Sequence, residues 1–473
     1  MSAPPAKESP FGYREALARL KARERYEPAP RSRGPEKLDG IRELLQTLGN
    51  PEAGLRVVHV AGTNGKGMTA ALVATLLWGA GRRAGLYASP HLRDIRERIV
   101  VDGTLLPRRD FAEAAHTVLD AAERMGGSHY LSYFDLLTAI GFLAFRRSGV
   151  EWAVVETGLG GLSDATNVTA KELCILTRIG LDHMSVLGND LRQIAAQKLG
   201  IVRPGVPTVL APQEPGLQNW LQRRLAEIGS PLVPPLRDGQ LPQIQRPPGG
   251  PRLTRPKWEC AATALAAAEV VLGKAGEEET QSRIARVLRT RLEGRLDYRE
   301  NLAVTGLAGG AFGRAMLDGG HNGAALAALN EELEWRNMTG YSLILALQRD
   351  KLVEPLREPL RTLVGGARRV ILPAPATPRS VSSAELAAWV GGILPAGRAA
   401  PELFSAVGGA REALLAALEH PHRPLVISGS FWMLGAAMGE LSLPPLPEYR
   451  RGSLYGGGQP GAEKGGSGDD GAL

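Results

Sequence analysis

Residues 55–91 read LRVVHVAGTNGKGMTAALVATLLWGAGRRAGLYASPH, and their order decides the fold. A run of apolar, β-favouring positions (Val57, Val58, His59, Val60) ends in Gly62-Thr63-Asn64-Gly65-Lys66-Gly67, and an Ala/Leu-rich helical stretch follows from Thr69. Strand, glycine turn and helix make a phosphate cradle. Glycines let consecutive N–H groups converge on one anion, the helix N-terminus adds partial positive charge, and a lysine adds a full one. Two features depart from the commonest form of this loop. Val60 rather than glycine stands six residues before Lys66, and Gly67 and Met68 follow the lysine where a hydroxyl residue would hold magnesium. Gly62, Thr63, Asn64, Gly65, Lys66 and Gly67 are thus the expected ligands of a nucleotide's phosphates.

Around that loop the chain reads as an ordinary globular protein. Its 473 residues are too many for one core and predict two domains or three. Hydrophobic residues make up 44% and charged residues 22%, so enough apolar surface exists to bury. No segment approaches the run of about 20 apolar residues that spans a bilayer, and the first twenty residues lack the apolar core of a secretory signal. Cys174 and Cys260 have no metal-ligand spacing, which fits a reducing cytoplasm. The net charge of +7 comes from scattered basic residues with no aromatic-interleaved Arg/Lys run, so small anionic substrates are expected and nucleic acid is not.

Apolar β-type runs at 56–61, 83–88, 152–156, 173–179 and 208–211 alternate with helical stretches such as 111–124 and 133–147. Alternation of this kind predicts a mostly parallel sheet covered by helices, with ligands at the carboxyl ends of its strands. Pro/Gly punctuation from Pro231 to Pro256 predicts a loop-rich excursion, followed by helices at 258–273 and 277–292. A second alternating block has strands at 315–317, 341–346, 369–372 and 425–428. The expected organisation is therefore a nucleotide-binding domain over residues 1–293, a smaller Rossmann-like α/β domain over 294–448, and a disordered Gly-rich tail over 449–473.

Every polar cluster falls at the end of a predicted strand. Ser89-Pro90-His91 offers a hydroxyl that could replace the ligand missing at Gly67 and Met68. Glu156, ending the strand Val154-Val155 and leading into Thr157-Gly158-Leu159-Gly160-Gly161, is placed like a metal-coordinating carboxylate. Asp182-His183 ends the next strand, making His183 a second candidate ligand. Lys198 stands in a mostly apolar helix and is one of only ten lysines against 46 arginines. A buried amine tends to lose its proton. Farther along, Arg295 lies at the expected linker, and Asp318-Gly319-Gly320-His321-Asn322 opens a helix for which Asn322 is a plausible cap.

Taken together, GTNGKG at 62–67, SPHL at 89–92, ETGLGG at 156–161, DATNV at 164–168, GLDH at 180–183 and DGGHN at 318–322 resemble the folylpolyglutamate synthase/dihydrofolate synthase family of the Mur ligase superfamily. Leu48-Gly49-Asn50-Pro51 matches as well. The resemblance implies a central domain like that of the Mur ligases and ATP-dependent addition of L-glutamate to dihydropteroate or folates through an acyl phosphate. Carried over, it assigns Lys66 and the loop amides to the β,γ-phosphates, Ser89 and Glu156 to one magnesium ion, and Glu156 with His183 to a second. Lys198 matches a lysine that is carbamylated. Arg295, Asp318 and His321 would contact ATP from the linker and second domain, and Phe134 and Asp164 would lie on the pterin side. A cytoplasmic monomer acting on small molecules is the family expectation.

The chain departs from the family pattern at several places. Met68 replaces Ser or Thr, Leu162 the arginine of the GLGGRLDATN run, and Gln197 and Leu199 the neighbours of the carbamylated lysine. Lys257 and Cys260 stand where Gln and Asn help to hold ATP, and Glu293 replaces the proline before Gly294-Arg295. These changes raise two alternatives: a ligase with another carboxylate acceptor, or a nucleotide-binding homologue without catalysis.

Overall fold

The computed structural model describes residues 12–24, 35–126, 129–236, 254–373, 380–394, 402–405, 408–420 and 424–444. The tail expected over 449–473 lies outside them, as do residues 237–253 of the expected surface excursion.

The first sheet has eight strands: β1 Arg56–Ala61, β2 Ala84–Tyr87, β3 Ile99–Val101, β4 Thr104–Leu105, β5 Trp152–Glu156, β6 Leu173–Leu176, β7 Thr208–Leu210 and β8 Leu232–Val233. Their order is β4-β3-β2-β5-β1-β6-β7-β8. All neighbours pair in parallel except β3, which runs antiparallel to both β2 and β4. β1 is buried from its second residue onward, as helices on both faces of a parallel sheet require. The helix Lys66–Gly79 is apolar nearly all round because helices Arg255–Leu272 and Glu277–Arg289 pack over the side that the sheet leaves open. Small residues at that contact (Ala70, Ala74, Ala264, Ala267) are fully buried and let the backbones approach closely.

The β3–β4 ribbon was not expected, yet its signal is present. Val101 pairs with Thr104 across Asp102-Gly103, whose φ values of 46° and 82° are those of a two-residue hairpin turn. The excursion predicted from residue 231 begins instead with β8, which adds an edge strand beside β7.

The second sheet contains β9 Asp297–Ala303, β10 Ala311–Leu317, β11 Tyr341–Leu345, β12 Ala367–Leu372, β13 Glu402–Ser405 and β14 Leu425–Ser428. Its order is β13-β12-β11-β14-β10-β9, parallel except for β9. β10 starts earlier than its apolar run suggests because pairing with the amphipathic β9 extends it to Ala311. The fold is thus α/β, with a large mostly parallel sheet followed by a smaller one.

Candidate active site

β1 lies between β5 and β6, so the loops following these three strands open side by side. Sterics decide the shape of the first. A Cβ on Gly62 would stand 1.8 Å from Thr177 Oγ1, so β6's exit can press against the loop only if residue 62 is glycine. Gly65 adopts φ 84° and starts the helix Lys66–Gly79. Thr63 and Asn64 donate their N–H groups to the Arg178 carbonyl, at 3.0 and 3.1 Å. Amides left without an intrahelical partner are those of the helix's first turn, the usual anion seat.

Four charged groups converge on that turn. Lys66 Nζ donates to Thr63 O at 3.3 Å, and burial lowers its pKa while Glu156 opposes the shift. Glu156 is 2% exposed at the end of β5, and its Oε2 accepts from Ser89 N at 3.0 Å. Burial raises this carboxyl's pKa against the pull of Lys66. Lys198, 3% exposed, donates to Gly62 O at 2.6 Å, and burial pushes its pKa far down. Arg295 stacks over Phe431 with its guanidinium carbon 4.0 Å from the ring centre.

An added Cβ at Gly67 would lie 3.3 Å from Glu156 Oε2, so glycine leaves a gap between the helix start and a hard carboxylate oxygen. Ser89 flanks the same carboxylate, and this oxygen set fits magnesium.

The second sheet contributes from β10, β11 and β14. Asp318 is 5% exposed and spends its oxygens on Leu296 N (2.7 Å) and Gly320 N (2.8 Å), shaping the turn that presents His321. His321 Nδ1 lies 2.9 Å from Gly319 O. A carbonyl only accepts, so Nδ1 carries a proton, and in the neutral ring Nε2 is left with its lone pair. Asp182, His183 and His321 bring one donor atom each within 4.8 Å of one another, a metal-sized group that does not include Glu156. Asp182 is already claimed: Lys351 Nζ donates to Oδ1 at 2.5 Å and Asn322 Nδ2 to Oδ2 at 2.9 Å. Burial favours protonation of Asp182, but His183, Lys351 and His321 overcome it and hold the carboxyl well below its ordinary range. His183 is 42% exposed in the cavity, and burial still brings its pKa down to about 4.

One cavity of about 1030 Å³ gathers residues 62–68, Ser89, Glu156, His183, Lys198, Arg295, Asp318 and His321. Every phosphate, metal and ATP residue expected from sequence lines it. Phe134 and Asp164 do not. Phe134 sits behind Gly158, where a Cβ would meet its ring at 2.5 Å. Asp164 is 4% exposed and accepts from Leu159 N, Thr166 N and Thr166 Oγ1, so it organises the glycine loop from inside. The sequence reading gives Asp182 no role beyond preceding His183, and it misses Lys351. For Lys351 a signal existed, since four of the chain's ten lysines (66, 198, 257 and 351) line this cavity.

No family model matches the chain. A folylpolyglutamate synthase of Lacticaseibacillus casei is 29% identical over 411 residues, 84% of this chain and 92% of the relative. A dihydrofolate synthetase of Saccharomyces cerevisiae is 32% identical over 356 residues, covering 68% of this chain and 78% of its own. The solved structure of Mycobacterium tuberculosis folylpolyglutamate synthase complexed with ADP aligns with a TM-score of 0.75 at 25% identity, over 90% of this chain and 97% of that one. Fold and site together define a ligase of the Mur superfamily. The chain belongs to the folylpolyglutamate synthase/dihydrofolate synthase family.

Proposed function

We propose that the chain joins L-glutamate to the carboxylate of dihydropteroate or a folate at the expense of ATP. The observation that carries this reading is the single cavity in which Lys66, Glu156 and Lys198 from the first sheet meet Arg295 and His321 from the linker and second sheet. A carboxylate resists an amine because it is anionic and lacks a leaving group. Moving the γ-phosphoryl of ATP onto it gives an acyl phosphate; the amino group then forms the amide and phosphate departs. The protein's share is positioning and charge neutralisation. Lys66 and the first-turn amides hold the phosphates, while Arg295 and His321 approach the nucleotide from the other side.

Magnesium would be held by Ser89 and Glu156 and would supply charge neutralisation of the phosphate oxygens. A second ion would rest on Glu156 and His183, supported by the exposed, neutral imidazole of His183. Carbamylation of Lys198 is part of the proposal, supported by the burial that pushes this amine's pKa far down and so favours the neutral form, the one that attacks carbon dioxide. So are the division at residue 294, supported by the separate sheets, and a monomer acting in the cytoplasm, supported by the free thiols of Cys174 and Cys260. Among the described residues no helix is long and apolar enough to cross a membrane.

The test is ADP release with ATP, magnesium and L-glutamate, offering dihydropteroate and tetrahydrofolate separately. Acceptor-dependent ADP and a product heavier by one glutamyl unit are expected with at least one of them. Silence with both, despite ATP binding, would remove the folate reading.

A further inference from the structure

Glu332 is fully buried (0% exposed) and sits on the helix Gly323–Trp335 of the second sheet's layer. Three donors reach it: Thr254 Oγ1 at 3.0 Å, Lys257 Nζ at 3.1 Å and Arg336 Nε at 2.8 Å. Two of the three come from the start of the helix Arg255–Leu272, which packs on the first sheet's phosphate helix. Beside it, Arg255 N donates to Glu331 Oε1 at 2.8 Å. Lys257 Nζ also donates to Leu296 O, at 3.2 Å, so one ammonium ties helix, linker and second half together.

A buried carboxylate with this many donors is tolerated only while they stay in place, since removing a partner leaves an uncompensated charge. The contact lies at the edge of the active site. Lys257 and Cys260 both line the cavity, and Cys260, one turn along the helix, has its Sγ 3.8 Å from Gly65 O of the phosphate loop. Lys257 stands where the family pattern has a neutral Gln, which would not call for a buried acid opposite.

We propose that Lys257 and Glu332 form a clamp that holds the second-sheet layer against the nucleotide end of the cavity and sets nucleotide affinity. Both are positioning residues. The proposal rests on reading the cavity as an ATP site, so the experiment must separate the two.

The variants are Lys257→Met, Glu332→Gln, the double variant, and Lys257→Arg as the conservative control. Each is checked for folding by thermal melting, then assayed for KM(ATP) and kcat, with a non-hydrolysable ATP analogue titrated by calorimetry. Lys257→Met and Glu332→Gln should each raise KM(ATP) by about five- to tenfold with a smaller fall in kcat. The double variant should be no worse than the worse single, as expected of residues acting as one unit. Lys257→Arg should recover most of the loss. A folded Lys257→Met protein with the parent's KM and analogue affinity, or single effects that multiply in the double, would overturn the clamp. If Glu332→Gln fails to fold, the Lys257 pair still decides. A parent protein that does not bind the analogue would instead sink the nucleotide reading itself.

Discussion

The carboxyl ends of the two sheets meet at one cavity but use their acidic residues differently. On the first sheet, Glu156 takes a single backbone hydrogen bond and faces a gap that glycine keeps open at residue 67. On the second, Asp318 is saturated by two backbone amides of its own turn. Glu156 therefore has lone pairs left for a cation, whereas Asp318 has spent its own on shape. The phosphate end supplies charge, and the opposing end supplies placement through His321, Asn322 and Lys351. Asn322 shows this division in one side chain: Oδ1 caps its helix at Ala325 N, while Nδ2 reaches Asn64 Oδ1 at 3.1 Å and Asp182 Oδ2 at 2.9 Å.

The largest effects should fall on the first side. Lys66→Ala and Glu156→Ala should each lower turnover by about a thousandfold or more, the scale of losing a charge aimed at a transferring group. Both proteins should still fold, because neither residue holds the core. Near-normal turnover in either variant would dissolve the contrast between the two ends. Lys351→Met comes next. Its partner Asp182 is 8% exposed, and stranding that charge should cost about 3 kcal/mol of stability, read in urea unfolding, with a clear loss of activity. If Asp182→Asn in the same background did not recover part of that stability, the pair would not be what joins the two halves.

Much of this was readable in the sequence, for physical reasons. Parallel strands buried on both faces announce themselves as apolar runs, so β1, β5 and β14 appear where Arg56–Ala61, Trp152–Glu156 and Leu425–Ser428 predict them. The glycine loop was legible because its residues serve one local geometry. What could not be read was pairing at a distance. Nothing local in Lys351 indicates that it meets Asp182 across 169 positions, or that Glu332 gathers donors from residue 254 onward. For Asp164, expected on the acceptor side, the motif shows proximity to the site but not that Leu159 and Thr166 donate to its oxygens.

A moderate effect is expected from pH. His183 has a folded pKa of about 4 against an ordinary value near 6.5, so the unfolded chain binds more protons between those values. The folded state should accordingly lose stability as pH falls from about 6.5 to about 4, and this contribution should be flat above 6.5. His183→Gln should flatten the acid limb of a melting-temperature profile. Asp182 acts lower down. Its depressed pKa stabilises the fold above the ordinary carboxylate range and is lost only on further acidification, so the His183→Gln profile should still fall below about pH 4. An unchanged slope between pH 6.5 and 4 would show that the cavity leaves His183 as solvated as an unfolded histidine.

The smallest effect is predicted at Cys260, and it sharpens the comparison most. This thiol lies against the phosphate loop, but burial raises its pKa to about 11, so it stays protonated and uncharged at neutral pH. Its contribution is bulk: a Cβ on Gly65 would come within 2.8 Å of Sγ, and the sulfur fills the space under the turn. Cys260→Ser keeps a small donor in that space and should change KM(ATP) by less than about threefold, the range of a weak, replaceable hydrogen bond. Cys260→Leu should do more by displacing Gly65. If the serine variant instead lost activity as Lys66→Ala does, Cys260 would belong with the charged groups of the phosphate end, and chemistry would no longer be confined to the lysines and Glu156.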